Sequence, residues 1–212
     1  MSESIGDLEI MATDDQTLVE AWQRGDNQAG VQLFDRYFAP ISRFFRNKLP
    51  DQAEDLIQQT FAALLEGRER LHASASFRSY LFGIAHNLLR AHLRTLARGR
   101  AIDPLESSIV ELAASPSVLI GERAEQQLLA RALRRLPIDH QVALELHYWE
   151  GLNAAEIAQI MAVPHSTMRS RLARARELLE AAIRELAETP ALTRSTLEGL
   201  DTWARDVRLQ LG

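Results

Sequence analysis

Apolar side chains recur at intervals of three and four residues along most of the chain, a spacing typical of amphipathic α-helices. The pattern runs from Leu18 to about Ala187, and it is interrupted near Gly25, Pro50 and Pro137, because glycine and proline end or start helices. This pattern predicts an all-α fold with two helical domains, joined by a flexible linker and followed by a short C-terminal helical tail.

Two short helical patterns lie close together within residues 136–179. Asn153 and Glu156 have the spacing of a capping box, which predicts that a helix begins there. Pro164 interrupts that helix and can open a second one, whose buried face begins at Met168. Four arginines and no acid lie between residues 165 and 176. A short helix, a turn and a second helix with a basic, small-polar outer face predict a helix-turn-helix that enters the major groove of DNA.

The N-terminal half carries a dense aromatic stripe. Its apolar positions at helical spacing are Leu33, Phe34, Tyr37, Phe38, Ile41, Phe44 and Phe45. A stripe with this period is typical of a helix face in the core, so we predict that these side chains are buried.

A further helix is predicted over residues 51–67. Asp51, Glu54 and Asp55 fall in or near its first turn, where the helix dipole favours anions. These acids are either surface residues matched to the dipole or an acidic docking edge for a basic partner, and their spacing leaves both alternatives open.

Residues 71–100 contain five arginines, three histidines and no acid. Ser74 or Ser76 can cap a helix here, and Tyr80 and Phe82 lie among the arginines. This combination suits single-stranded nucleic acid, because aromatic rings stack on bases and arginines follow the phosphate backbone. The alternative is a basic solvated helix whose aromatic residues belong to the core.

Charge is unevenly distributed along the chain, whose formal net charge is −5. Residues 1–28 carry seven acids and one arginine, whereas the basic segment 71–100 has no acid. The field near each basic segment, rather than the net charge, governs the attraction of phosphate, so the acidic total is compatible with DNA binding.

Composition narrows the function classes further. The chain has 212 residues, of which 46% are hydrophobic and 25% charged, as in ordinary globular proteins, and it has no cysteine. No apolar run approaches the roughly 20 residues that span a membrane, so we predict a soluble, cytoplasmic protein without membrane insertion. We find no phosphate-binding glycine loop, no metal-ligand spacing among the histidines and no paired nucleophile and base. We therefore predict no catalytic activity, no metal and no cofactor.

The chain divides into five predicted segments. They are a disordered N-terminus (1–14), a first helical domain (15–100), an acidic linker (101–121), a second helical domain (122–187) and a C-terminal amphipathic tail (188–212). The apolar positions of the tail helix are Leu200, Trp203, Val207 and Leu211. This face either packs on its own domain or contacts a regulatory partner.

Three blocks in this order resemble the sigma-70 family of RNA polymerase sigma factors, and in particular the small extracytoplasmic-function (ECF) group, which keeps regions 2 and 4. The blocks are DQAEDLIQQTF, FRSYLFGIAHNLLRAHLR and LPIDHQVALELHYWEGLNAAEIAQIMAVPHSTMRSRLARARELL. The resemblance covers roughly residues 17–183. The family usually has a glycine in the turn of region 4, where this chain has Ala162.

The resemblance implies roles for individual residues. Residues at the position that docks on the clamp helices of the largest polymerase subunit are Asp51, Glu54, Asp55, Gln58 and Gln59. Residues matching the part that melts and binds the −10 element are Ser74, Ser76, Phe77, Arg78, Tyr80, Asn87, Arg90, Arg94 and Arg98. Residues matching the −35 recognition helix are Ser166, Thr167, Arg169, Ser170, Arg171, Ala173 and Arg174.

The resemblance implies a promoter-specificity subunit. Its expected partners are core RNA polymerase, promoter DNA with a duplex −35 element and a single-stranded −10 element, and an anti-sigma factor or another regulator. Two alternatives remain at this point. One is a stand-alone helix-turn-helix regulator that binds duplex DNA, and the other is a helical interaction protein whose arginines are merely solvated.

Overall fold

A computed structural model describes residues 14–71, 76–98, 106–112 and 123–199. Within these ranges the chain is helical, and its only extended pairing is an isolated bridge between Ser108 and Pro137, so the all-α prediction is confirmed. The helices are α1 (Asp15–Gln23), α2 (Asn27–Arg46), α3 (Ala53–Glu66), α4 (Phe77–Leu96), α5 (Ile109–Leu112), α6 (Ala124–Leu133), α7 (Ile138–Tyr148), α8 (Ala154–Ile160), α9 (His165–Leu186) and α10 (190–199).

Local sequence explains where the first helices begin. The Asp14 carboxylate accepts a hydrogen bond from the Gln16 backbone N–H at 2.7 Å, and Asp26 accepts one from that of Gln28 at 2.9 Å. A short polar side chain in this position satisfies an N–H group that has no partner inside the helix. The helix interruption predicted at Gly25 is confirmed, since this residue has φ +102° between α1 and α2.

Helices α1–α4 form the N-terminal helical unit around an aromatic core. Tyr37 lies 5.1 Å from Phe77 and Phe44 lies 5.8 Å from Phe82, measured between ring centroids. Such tilted and edge-on pairs stabilise beyond the area that they bury. Most of the predicted aromatic stripe is therefore core.

Two members of that stripe contradict the prediction of burial. The side chains of Phe34 and Phe38 are each 42% exposed. They lie on the outer side of α2, next to α3, where they form one wall of an open groove. Helical spacing places Phe34 and Phe38 beside the buried positions of α2. The aromatic stripe is wider than the surface that the other described helices cover, so these two rings stay exposed.

Helices α6–α10 form the C-terminal helical unit, which has its own core. Leu129, Leu133, Trp149 and Leu179 are all buried in it. Leu192 and Leu197 of α10 pack against this cluster, so the first part of the C-terminal tail covers its own unit. The apolar tail positions Leu200, Trp203, Val207 and Leu211 lie outside the described residues.

The two helical units are in direct contact. Helix α7 is buried on nearly all sides, since it packs on the second core through Leu144 and on the first through Val142 and Leu146. Helix α8 packs against α4, and Met168 at the start of α9 also belongs to the first core. A helix enclosed in this way has no polar stripe, which is why the sequence pattern of α7 is weakly amphipathic.

Part of the predicted linker is folded into this contact. Its described residues are 106–112, in which α5 buries Ile109 and Leu112 in the first core. The backbone N–H of Ile138 donates to the Ser107 carbonyl at 3.1 Å, which attaches this segment to the start of α7. The rest of the linker and the predicted disordered residues 1–13 lie outside the described residues.

Candidate nucleic-acid interface

Helix α8 begins with the predicted capping box. The Asn153 side chain accepts from the backbone N–H groups of Ala155 and Glu156 at 2.9 and 3.1 Å. In return, the Glu156 carboxylate accepts from the Asn153 backbone N–H at 2.8 Å. The two reciprocal bonds define where α8 starts and therefore where its C-terminal turn falls.

The turn between α8 and α9 is a Schellman motif. The Val163 N–H donates to the Ala158 carbonyl at 3.0 Å, and the Ala162 N–H donates to that of Gln159 at 3.3 Å. This pattern requires a left-handed residue just after the helix, and Ala162 has φ +53°. The geometry explains the glycine that is usual at this position, because glycine adopts a positive φ without a Cβ clash.

Helix α9 presents most of the predicted −35 residues to solvent. Met168 faces the core and is fully buried, which orients the opposite face outward. The exposed members of the predicted set are Ser166, Thr167, Arg169, Ser170, Ala173 and Arg174. Because side chains three and four residues apart share a helix face, these six residues form a continuous surface without an acid.

Two arginines of this set have partners within the protein. Arg171 is only 20% exposed and its guanidinium pairs with the Asp139 carboxylate at 2.6 Å, which links α9 to α7. Arg174 pairs with Glu177 at 2.8 Å, but both side chains are more than 60% exposed. An exposed pair of this kind contributes little stability, so Arg174 can exchange its partner for a phosphate or a base, whereas Arg171 positions the helix.

Helix α4 and the residues that flank it carry the predicted −10 residues, of which Ser74 lies outside the described residues. Ser76 is the N-cap, and its hydroxyl accepts from the Ser79 N–H at 3.4 Å. Phe77 is buried against Tyr37. Arg78 donates to the Tyr37 hydroxyl at 3.4 Å and to the Glu150 carbonyl at 2.8 Å, so its guanidinium is held by both helical units.

The rest of α4 divides between solvent and interior. Asn87, Arg94 and Arg98 are exposed, while Arg90 is partly buried. Phe82 is fully buried, so this ring belongs to the core and cannot stack on a base. The two exposed cations, Arg94 and Arg98, lie about one helical turn apart in a segment whose own sequence contains no acid.

His86 lies in the buried part of α4. Its side chain is 2% exposed, and burial lowers its pKa to about 4, with smaller contributions from the cations Arg90, Lys48 and Arg171. The imidazole is therefore neutral at physiological pH, as expected for a core histidine.

Tyr80 reaches back from α4 to the end of α3. Its hydroxyl lies against Gly67, where a Cβ atom would collide with it. Nearby, the Gln23 side-chain amide donates to the Leu71 carbonyl at 2.7 Å and anchors the segment that leads to the predicted −10 loop. Gly67 thus leaves the space that this orientation of Tyr80 needs.

Helix α3 and the turn before it present the predicted polymerase-binding edge. Its five members are all exposed: Asp51, Glu54, Asp55, Gln58 and Gln59. Beside them lies the open groove between α2 and α3, with a volume of about 580 Å³. Glu54 and Gln58 line it together with Phe38 and with Leu65, whose side chain is 63% exposed. The sequence gives no signal for this groove: the helical spacing of Leu65 with Phe61 predicts a buried position, whereas its side chain is exposed.

Other kinds of site find no support in the described ranges. Within them, no cluster of histidine and acidic side chains has the arrangement of a metal site. In the same ranges, no helix combines the length and hydropathy needed to cross a membrane.

Comparison with known proteins agrees with this arrangement. Residues 33–99 match the family model for Sigma-70 region 2, and residues 126–179 match that for Sigma-70, region 4. The chain is 33% identical over 189 residues to the ECF RNA polymerase sigma-E factor of Haemophilus influenzae, covering 81% of this chain and 96% of that protein. It is 29% identical over 185 residues to the sigma-E factor of Escherichia coli, covering 81% of this chain and 95% of that one.

Two solved structures share the fold. One is CnrH in complex with the cytosolic domain of CnrY, with a TM-score of 0.57 and 22% identity over 82% of this chain and 99% of that one. The other is the sigma factor RpoE in complex with the anti-sigma factor NepR from Bartonella quintana, with a TM-score of 0.55 and 22% identity over 75% of this chain and 97% of that one.

Proposed function

The chain belongs to the ECF group of sigma-70 RNA polymerase sigma factors, and we propose that it directs core RNA polymerase to specific promoters. The observation that carries the proposal is the exposed face of α9 between residues 165 and 176, which contains no acid and is presented by the capped helix-turn-helix. A family of transcription initiation factors needs such a face for DNA, and the protein acts as a binding subunit rather than as an enzyme.

The −35 element is bound as duplex by the exposed face of α9. Arg169 and Arg174 have the reach for base edges or phosphates, and Ser170 lies between them. Arginine bonds the O6 and N7 atoms of guanine through two donors, a geometry that discriminates between bases. The small side chains of Ser166 and Ala173 let the helix approach the groove closely.

The −10 element is melted and held by α4 and the loop before it. Asn87, Arg94 and Arg98 are exposed along one acid-free helix and can follow a phosphate backbone. Extracting a base from the stack costs a few kcal/mol, which contacts from the loop and Tyr80 would offset.

Core polymerase is bound through the acidic and amide edge of α3. The exposure of Asp51, Glu54 and Asp55 supports the docking alternative, and the neighbouring groove adds apolar area to it. In this proposal residues 15–100 and 122–187 are the two functional domains and 101–121 connects them. The protein works in the cytoplasm, where the polymerase is.

A regulator of the anti-sigma class is a further proposed partner. The support is a likeness of fold to two proteins whose structures were solved as complexes, one of them a sigma factor bound to an anti-sigma factor. The tail beyond residue 188 is a second candidate for regulation, although α10 packs on its own unit.

In vitro transcription tests the proposal. Core RNA polymerase and the protein are combined with a genomic promoter library, and transcription start sites are mapped. We expect discrete starts that share upstream motifs near −35 and −10. Absence of both starts and polymerase binding would instead leave a stand-alone helix-turn-helix regulator as the better account.

A further inference from the structure

Two ion pairs cross the contact between the helical units. Arg43 at the end of α2 pairs with Glu150, Nη2 to Oε1, at 2.7 Å, and Lys48 pairs with Glu145 of α7. All four side chains are at most 8% exposed. Both cations come from the N-terminal helical unit and both acids from the C-terminal helical unit, so the two surfaces are electrostatically complementary.

Hydrogen bonds connect these pairs into one network. Glu145 also accepts from the Asn47 side-chain amide at 2.6 Å, and Lys48 also donates to the Phe44 carbonyl at 2.8 Å. Arg43, Asn47, Lys48, Glu145 and Glu150 are called the interdomain network below. Since every member has a partner in another element, the network specifies one relative placement of the two units.

The closed arrangement occupies part of the proposed −10 surface. Arg78 of that surface donates to the Glu150 carbonyl at 2.8 Å, next to the Arg43–Glu150 pair. Further along α4, His86 is buried and Arg90 is partly buried where this helix packs against α8. Arg78 is therefore engaged by the C-terminal helical unit before any nucleic acid arrives.

The closed arrangement also conflicts with the length of a promoter. Elements named −35 and −10 lie about 25 base pairs apart, which is about 85 Å at the rise of duplex DNA. In the structure, the helix-turn-helix and α4 pack directly against each other through α8. The two DNA-binding surfaces must therefore separate before both elements can be bound at once.

We propose that the interdomain network is an autoinhibitory contact that holds the free protein closed and must break when the promoter complex forms. The proposal rests on the proposed function, which supplies the reason to open. A buried ion pair is well suited to the task, because desolvation offsets much of its attraction while the loss of one partner is costly. It specifies the closed state without making that state irreversible.

The network is also incompletely satisfied. In the described part of the chain, the Nε and Nη1 atoms of Arg43 are buried without a hydrogen-bond partner, as is the Oε1 atom of the neighbouring Gln141, whose side-chain amide donates to Glu145 at 2.8 Å. Opening the units lets water bind these atoms, which lowers the cost of separation. Burial likewise lowers the pKa of Lys48, against the attraction of Glu145.

Charge reversal and its rescue test the proposal in the full chain. The variants are Arg43→Glu, Glu150→Arg and the double variant that carries both changes. The protein has no cysteine, so dyes can be placed uniquely on Gln28→Cys and Glu188→Cys, both at exposed positions in different units. Single-molecule energy transfer then counts closed and open molecules without polymerase or DNA.

We expect each single reversal to raise the open-to-closed ratio by about 5- to 150-fold, the usual range of coupling between sites, and the double variant to return toward wild type. Arg135→Ala is the control, because it removes an exposed 2.5 Å pair with Glu185 inside one unit and should leave the ratio unchanged. Circular dichroism confirms that helicity is retained.

Two results would overturn the inference. One is a wild-type open-to-closed ratio in both single variants with helicity intact. The other is a double variant whose ratio is raised by the product of the two single fold-changes, which would mean that the two residues act independently. If a single variant loses helicity and the double variant regains it, the result supports the pairing of Arg43 with Glu150. Loss of helicity in all three variants overturns that pairing. Failure to bind core polymerase would refute the proposed function and leave the energy-transfer result standing.

Discussion

Ala162 occupies a backbone position that favours glycine. Among the described residues it is the only non-glycine with a positive φ, and it closes the turn that sets the angle between α8 and α9. A left-handed conformation costs an alanine roughly 1–2 kcal/mol. The turn tolerates this cost because two hydrogen bonds and the packing of Val163 hold it in place.

Ala162→Gly should therefore stabilise the protein. Relief of the left-handed conformation exceeds the extra entropy of glycine in the unfolded chain, so we expect a gain of roughly 0.5–1 kcal/mol in the free energy of unfolding. Urea denaturation measures this change in the free energy of unfolding. Ala181→Gly, at an exposed position inside α9, is the matched control and should destabilise by about 1 kcal/mol. Destabilisation by both changes would mean that Ala162 does not keep this conformation in solution.

The arginines of α9 should separate into two kinds. Arg169→Ala is expected to cost about 1–3 kcal/mol of affinity for the −35 duplex and to relax base preference, if its contact is bidentate. Arg171→Ala should instead lower the stability of the protein, since it breaks the largely buried pair with Asp139. Binding titrations at several salt concentrations and thermal melts distinguish the two effects.

Arg184→Ala is the control for these arginine variants. It removes an exposed charge near the end of the same helix, where it pairs with Glu180. Equal losses of affinity in Arg169→Ala and Arg184→Ala would show that α9 attracts DNA by charge alone.

Helices α2 and α3 together form an apolar surface that the hydrophobic spacing of neither helix predicts. The rings of Phe34 and Phe61 contact each other at a tilt of 52° with centroids 4.5 Å apart, and Phe38 and Leu65 extend the apolar wall into solvent. Exposed apolar patches of this kind mark interaction sites. The patch is continuous with Glu54 and Gln58, so the same partner can cover both.

Leu65→Ser should weaken binding to core polymerase. Burying a leucine side chain contributes about 1.5–3 kcal/mol, so we expect at least a tenfold loss of affinity with nearly unchanged stability. Val31→Ser on α2 is the control, because Val31 is 49% exposed and lies outside the groove lining. Pull-down with purified core polymerase measures both variants, and equal binding by Leu65→Ser and wild type would remove the groove from the interface.

At the scale of the whole molecule, the contact between the units should respond to acid. His86 is buried among cations with a pKa of about 4, below its ordinary value of 6.5. Its contribution to stability is therefore complete above pH 6.5 and is lost as the pH falls toward 4. The loss between neutral pH and pH 5 amounts to roughly 2 kcal/mol.

Urea denaturation at several pH values checks this expectation. His86→Gln should flatten the pH dependence, because glutamine binds no proton. His165→Gln, at an exposed position, should preserve it. An unchanged slope in His86→Gln would assign the acid sensitivity to other groups, such as His140, whose pKa is also lowered by burial.

Much of the fold could be predicted because it depends on near neighbours in the chain. The capping box at Asn153, the break at Gly25 and the burial of Met168 follow from residues three to four positions apart. The exposure of the α3 edge and of α9 follows from the same periodicity. The functional roles of these residues remain predictions.

Other features could not be predicted from the pattern. Phe34 and Leu65 have the spacing of core residues, yet they are exposed because the described helices leave this part of the surface open. Lys48 and Glu145 are typical surface residues, yet they are buried together although 97 positions separate them.

The helical elements, their caps, the helix-turn-helix and the family are readable from the amino-acid sequence, since these depend on local spacing and on motifs in a fixed order. The folded arrangement was needed to show that the two units close on each other through Arg43, Lys48, Glu145 and Glu150, and that Arg78 is engaged in that contact. Desolvation and ion pairing cannot be inferred from local spacing, because they depend on which distant surface faces each side chain. Periodicity records which face of a helix is apolar, and it carries no information about the identity of that opposing surface.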